Sequence, residues 1–147
     1  MAARVLPGSD VRVRRGRRHD LDAVRALLGG DGPTPRVFRR LVADLGADVY
    51  VAEDADGGIV GLVSVAYARS LVRGGASALL DGVRAVGQPA GPLLEGLIAF
   101  AEERARRRGC LRLAAWVEPD DVALRTALQA RGYRTGELLV ADLQAAR

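Results

Sequence analysis

The residue types that can do chemistry are few in this chain and well separated. Two carboxylates stand at the ends of apolar runs. Asp81 follows Leu79-Leu80, and Glu118 follows Trp116-Val117 and precedes Pro119. Each can accept a proton, and each also fits a plain turn or a solvated strand end. Between them lies Arg84-Ala85-Val86-Gly87-Gln88-Pro89-Ala90-Gly91, a stretch of mostly small residues just ahead of a helical run that opens Pro92-Leu93-Leu94. Glycines let a backbone approach an anion closely, and a helix N-terminus adds unpaired N–H donors and a partial positive charge. Arg84, Gly87 and Gly91 each also suit ordinary loop geometry. The remaining candidates have plainer readings. Cys110 reads as a small buried apolar residue, Tyr133 as a core aromatic and His19 as a solvent-exposed residue before a helix. Trp116 fits either a pocket wall or the core. One His and one Cys with no cluster around them do not make a protein metal site.

Composition narrows the classes. With 147 residues, 49% hydrophobic and 27% charged, the chain suits one folded domain with a real core. All 22 basic residues are Arg, and Lys and Asn are absent, a bias that suggests a GC-rich bacterial genome. The net charge of +4 is discounted accordingly. Basic clusters at Arg12–Arg18 and Arg104–Arg108 come without a helix-turn-helix, zinc or RNA-binding signature, so solvated arginines account for them and nucleic acid is not the expected partner. At the end of a helix, the second cluster also suits the helix dipole. A lone Cys is compatible with a reducing cytoplasm. The N-terminus lacks a secretory apolar region, and no run of about 18 apolar residues is present, so a cytoplasmic protein without a membrane span is expected.

Patterning supplies the elements. Residues 1–10 read as a flexible tail ahead of one domain over 11–147. Val11–Arg15 alternate as a short strand. Asp20 is a fair N-cap for a helix with Leu21, Val24, Leu27 and Leu28 on one face. Thr34-Pro35 starts a second helix, with Val37, Leu41, Val42 and Leu45 as its apolar face. Strands over 48–54 and 58–68 flank an Asp-Gly turn, a hairpin signal. A fourth strand begins at Ala76 and ends near Leu80. The loop 82–92 then leads to a long helix with Leu93, Leu94, Leu97, Ile98, Ala101 and Ala105 in one stripe, capped by Gly109. Leu111–Val117 is a strand, Asp120 or Asp121 caps the last helix, and GELLVADL at 136–143 closes as a strand. The fold class is α/β (α+β): a mixed, mostly antiparallel sheet flanked by helices on both faces.

This order resembles that of the GNAT superfamily, the acetyl-CoA-dependent N-acyltransferases, over roughly residues 11–143. In that family a [Q/R]-x-x-G-x-[G/A] loop after the fourth strand opens the long helix and holds the pyrophosphate of CoA. Arg84 and Gly87 match its first half. Pro89 stands where a small residue is expected and Ala90 follows, so either one residue is inserted or the strand continues to Val86 and the loop is short. After the fifth strand, Asp121, Leu124, Leu128, Gly132 and Tyr133 fall in the frame N-x-x-A-x-x-x-Y-x-x-x-G-[F/Y]. The Asn is replaced by Asp121. Leu128 replaces the Tyr that in many members protonates the leaving thiolate.

The resemblance implies an N-acetyltransferase that moves an acetyl group from acetyl-CoA, as cosubstrate, to a primary amine of a small-molecule or peptide acceptor. It implies CoA contacts from Arg84, Gly87, Gln88, Ala90, Gly91 and Asp121, and it makes Asp81 and Glu118 the candidate general bases. The missing Tyr and irregular loop also fit a GNAT-fold binding or assembly module that has lost catalysis. Acceptor identity and oligomeric state, a homodimer included, stay open at this level.

Overall fold

The computed structural model describes residues 3–30, 32–86 and 90–143. Six strands form one sheet in chain order: β1 (Arg4–Val5), β2 (Arg12–Arg15), β3 (Ala47–Glu53), β4 (Ile59–Ser70), β5 (Gly75–Ala85) and β6 (Cys110–Ala115). Neighbours are antiparallel except β5 and β6. That parallel pair needs a crossover, and helix α3 (Ala90–Arg107) supplies it. Helices α1 (Leu21–Leu27) and α2 (Pro35–Ala43) join β2 to β3, and α4 (Val122–Ala130) follows β6. The expected α/β (α+β) class, mixed and mostly antiparallel with helices on both faces, is what forms.

Strand β3 shows why both faces are covered. Its run ADVYVA is buried at every position, which a one-sided sheet would not produce. Val49 and Val51 point to one face, where they meet Val24 of α1, Phe38 of α2 and Leu62 of β4. Tyr50 and Ala52 point to the other, which holds Val63, Val65, Leu80 and the α3 side chains Leu94, Leu97 and Ile98. Tyr50 meets Phe100 of α3 edge-on, with ring centroids 4.8 Å apart. Helix α3 also packs close to β4 at Gly61. A Cβ there would stand 2.9 Å from Leu97 Cδ1 and 3.0 Å from the Arg84 carbonyl oxygen.

Four sequence expectations need correction. Residues 4–6 are not tail: Arg4 and Val5 pair with Val13 and Arg12, and buried Leu6 packs near Gly96 of α3. Asp20 does not cap α1 with its side chain. Its carboxylate instead accepts two bonds from Arg14, both 2.8 Å, and one from the Arg17 N–H at 2.7 Å. On α2, Thr34 accepts from the Val37 N–H and Pro35 sits in the first turn as expected, but the buried residue is Phe38, while Val37 and Leu45 are exposed. The 136–143 segment forms no strand, and Leu138, Leu139, Val140 and Leu143 are exposed.

One charged group ties the layers together. Asp48, at the start of β3, has no exposed surface. It accepts bonds from the Tyr67 hydroxyl (2.7 Å), Arg108 (3.0 Å), Arg15 (3.1 Å) and Arg104 (3.3 Å). Arg15 and Arg104 also lie over the Tyr50 ring, and Arg108 lies 4.2 Å from the centroid of Tyr67. Burial alone would raise the Asp48 carboxyl, but the Tyr67 hydroxyl and the Arg104 and Arg108 guanidiniums outweigh it and hold it below the usual carboxylate range. Asp20 is also held low: burial opposes the charge, and Arg14 and the Arg17 N–H overcome it.

Two outcomes are expected. Asp48→Ala removes the shared acceptor of Arg15, Arg104, Arg108 and the half-buried Tyr67 hydroxyl, so chemical denaturation should read a loss of about 3 kcal/mol, the usual scale for breaking a buried ion pair. A fall in Tm of roughly 10 °C should accompany it at this chain length. A depressed folded-state carboxyl stabilises above its unfolded value of about 3.9 and loses that contribution as pH falls through the lower folded value. Stability should therefore be flat above about pH 5 and drop on acidification below about pH 4. The drop should be shallower in Asp48→Asn, measured by urea midpoints across pH.

Candidate functional site

The β5–β6 ladder runs from Ala76 beside Cys110 to Leu80 beside Ala115, and the Trp116 N–H donates to the Leu80 carbonyl at 3.0 Å. It stops there. On the other side of β5, Leu80 faces Val65 and Gly82 faces Ser64, so Asp81 is an extra residue in the strand. Such a bulge bends its strand and disrupts local pairing. Past it, β5 stays with β4 as far as Ala85, while the chain after β6 leaves through Glu118-Pro119 towards α4. Backbone groups of Gly82–Ala85 that face away from β4 therefore have no strand partner among the described residues.

The resulting wedge is a cavity of about 430 Å³. Val83, Arg84 and Ala85 of β5 form one wall, Gly91 and Leu94 of α3 another, and Asp121 and Leu124 a third. The N-terminus of the 18-residue α3 opens onto it. A Cβ on Gly91 would meet nothing within 4 Å, so its backbone is open to a ligand. An anion there would meet unpaired N–H groups and the positive end of the helix dipole.

The predicted site residues divide into three sets. Arg84, Gly91 and Asp121 line the wedge together. Arg84 lies on the strand, not in a loop, which realises the alternative of a continued strand and a short connection to the helix. Its guanidinium donates to the Val83 carbonyl at 3.0 Å and lies 3.9 Å from Asp121. The Asp121 carboxylate accepts from the Leu124 N–H at 3.1 Å and so caps α4. Ala90 is the first residue of α3. Gly87 and Gln88, with Pro89, lie outside the described residues.

Asp81 and Glu118 are not among the wedge residues. Asp81 is the exposed bulge residue in β5, not the end of the strand. Glu118 lies with Trp116 on a second, larger groove of about 1170 Å³ along the outer edge of β6. The N-terminus of α3 opens onto the smaller wedge, beside Arg84, and not onto this groove.

Leu128 is buried in the core and offers no proton. Tyr133 is half-buried, and its hydroxyl donates to Glu102, which also holds Arg131. Burial and the Glu102 charge push that phenol up, away from acid duty near neutral pH. Burial likewise pushes the Cys110 thiol up, so it is a poor nucleophile. No group of described residues could hold a metal ion, and no described helix is long and apolar enough to cross a membrane. The bulge escaped the sequence reading, because Asp-Gly after an apolar run is also the ordinary mark of a turn.

No family model matches the chain, and no curated protein matches it. Solved structures do. The ribosomal-protein-alanine N-acetyltransferase of Brucella melitensis biovar Abortus 2308 is 17% identical, with a TM-score of 0.72 over 92% of this chain and 99% of that one. The aminoglycoside 6'-N-acetyltransferase AAC(6')-Ih of Acinetobacter baumannii is 16% identical, with a TM-score of 0.74 over 93% and 99%. The aminoglycoside N-acetyltransferase AAC(6')-Iy, solved with CoA, is 19% identical, with a TM-score of 0.73 over 97% and 99%. At such identities the likeness is one of architecture, and the chain has the fold of the GNAT N-acetyltransferases.

Proposed function

We propose that this chain is an N-acetyltransferase that moves an acetyl group from acetyl-CoA to a primary amine. The observation that carries this reading is the wedge past the Asp81 bulge, with the α3 N-terminus at its mouth. The parts fit the cosubstrate. Helix N–H groups near Gly91 and the Arg84 guanidinium suit a pyrophosphate. Unpartnered backbone groups of β5 suit the amides of an extended pantetheine arm. Gly91, with open space where a side chain would be, lets the ligand reach the backbone.

The chemistry asks little more of the protein. A free amine attacks the thioester carbonyl, its nitrogen gives up a proton, and the C–S bond breaks to release the CoA thiolate. A β5 backbone N–H that β6 leaves without a strand partner suits the oxyanion. Holding both reactants in register supplies much of the rate. With Leu128 buried in place of an acid, the thiolate leaves without a proton from that position. Neither Asp81 nor Glu118 lines the wedge, so water carries the amine proton to solvent or to one of these two carboxylates. A reducing cytoplasm suits the single thiol.

A second reading, a GNAT-fold binding or assembly module that has lost catalysis, is favoured by two observations, the buried Leu128 and the carboxylates outside the wedge.

Calorimetric titration with acetyl-CoA tests the first reading. Micromolar binding is expected. Arg84→Ala should weaken it about tenfold, the cost of one charge-assisted contact. Gly91→Glu, which places an anion at the helix mouth, should abolish binding with the Tm unchanged. No binding to the wild type at millimolar acetyl-CoA sinks the proposal, and binding without CoA release across an amine panel leaves the module reading. Where turnover is found, kcat/KM should rise with pH as the acceptor amine deprotonates and show no falling limb from a tyrosine acid near pH 10.

A further inference from the structure

We infer that the turn between β4 and β5 docks this chain on an anionic membrane surface, with Leu71 and Val72 entering the interface and nearby arginines meeting lipid phosphates. The turn lies at the opposite end of β5 from the wedge, about 30 Å of strand away, so the inference does not depend on the acetyl-CoA reading.

The turn is built to present those two side chains. Strand β3 starts opposite Ala66 and β6 starts opposite Ala76, so the β4–β5 hairpin runs past both neighbours before it turns. The Gly74 N–H donates to the Ser70 carbonyl at 3.0 Å, and the Arg73 N–H donates to the Ser70 hydroxyl at 3.1 Å. Gly74 takes a φ of +72°, which suits glycine. Closed in this way, the turn leaves Leu71 98% and Val72 96% exposed. Leu111 stands exposed against the base of the turn, where a Cβ on Gly75 would lie 2.7 Å from its Cδ1. Single exposed apolar residues are ordinary, but apolar surface gathered at one tip marks an interaction site.

Charge says what the tip meets. Arg69 and Arg73 bracket Leu71 and Val72, and Arg112 stands on β6 beside Ser77. All three are exposed, and no ion pair among the described residues engages them. Residues 57–80 and 104–117, which build this end of β4, β5 and β6, contain no Asp or Glu. A nucleic acid would use the arginines, but no aromatic stands on the turn to stack on a base. A projecting pair of aliphatic side chains suits a fluid interface, which needs no matching pocket. Two such side chains bury less hydrocarbon than one myristoyl chain, which by itself anchors only marginally. The arginines supply the second signal, at about fivefold in affinity each on an anionic surface.

Co-sedimentation with lipid vesicles tests this. Vesicles of equal parts phosphatidylglycerol and phosphatidylcholine should bind half of the protein at roughly 0.1–1 mM accessible lipid. Pure phosphatidylcholine should bind it at least about tenfold more weakly. Leu71→Asp combined with Val72→Asp should weaken binding to the anionic vesicles by about tenfold or more. Arg69→Gln combined with Arg73→Gln should weaken it about 25-fold. Each pair should leave the circular dichroism spectrum unchanged. Emission of Leu71→Trp should shift to the blue on these vesicles and be quenched by brominated lipid, while that of the wild type, from Trp116 at the far end of β6, should not respond. A wild type that stays in the supernatant at about 10 mM anionic lipid, far above the expected range, overturns the inference and leaves the turn to a protein partner. Binding that survives the aspartate pair, or Leu71→Trp emission that brominated lipid leaves unquenched, overturns it as well, since arginines alone would then hold the chain. The quenching readout uses an apolar replacement at an exposed position, so it decides the matter even if the aspartate pair misfolds.

Discussion

Asp48 is the group around which the other charges are arranged. A carboxylate with no exposed surface carries a desolvation penalty of several kcal/mol unless it is surrounded by donors. Its donors come from β2, β4 and α3, so satisfying that one charge draws three elements onto the start of β3. The consequence for α3 is positional. Arg104 and Arg108 pin its C-terminal end to this corner of the sheet. An 18-residue helix spans about 27 Å, so its N-terminus is carried across the sheet to the opposite end. That end is where β5 and β6 part. The wedge and the charged corner are thus the two ends of one rigid lever, with Tyr50, Phe100 and Leu97 packed beneath it.

The wedge has a separate local cause. Parallel strands joined by a helix normally stay paired along their length, and a groove between them has to be forced. One extra residue in β5, Asp81, does this without breaking β4–β5 pairing, which resumes at Gly82 and runs to Ala85. The same step leaves β5 with a bare backbone on the side where β6 would have been. A site made this way depends on backbone geometry more than on particular side chains. The described walls carry three charged side chains, Arg84, Glu95 and Asp121, with Arg84 and Asp121 lying 3.9 Å apart.

Much of this was legible in the residues. Thr34-Pro35 marked a helix start, the Asp-Gly hairpin fell between β3 and β4, and the stripe Leu94, Leu97, Ile98, Ala101 and Ala105 is the buried face of α3. Local signals sufficed because each element's period and end marks lie within it. Failures came where a tertiary partner decides. Asp20 carries the mark of an N-cap, yet Arg14 from the neighbouring strand captures it. The Arg104–Arg108 run had a complete local explanation in the helix dipole, and nothing nearby announced a carboxylate more than 50 residues earlier as its partner. GELLVADL carries a strand's composition, but a strand exists only beside another. In this chain it forms no strand.

The arginine-only composition also takes on a meaning that base composition alone does not supply. The absence of Lys from the chain does not by itself account for three guanidiniums on one carboxylate. An ammonium is a compact, strongly hydrated point charge, and three of them around Asp48 would repel with little to offset it. Guanidiniums are flat, weakly hydrated and able to stack. Arg15 and Arg104 sit over Tyr50 and Arg108 over Tyr67 while their N–H groups reach the carboxylate. Each arginine thus spreads its charge over an aromatic face and a shared anion at the same time. The fold places these arginines where lysine could not have acted in the same way.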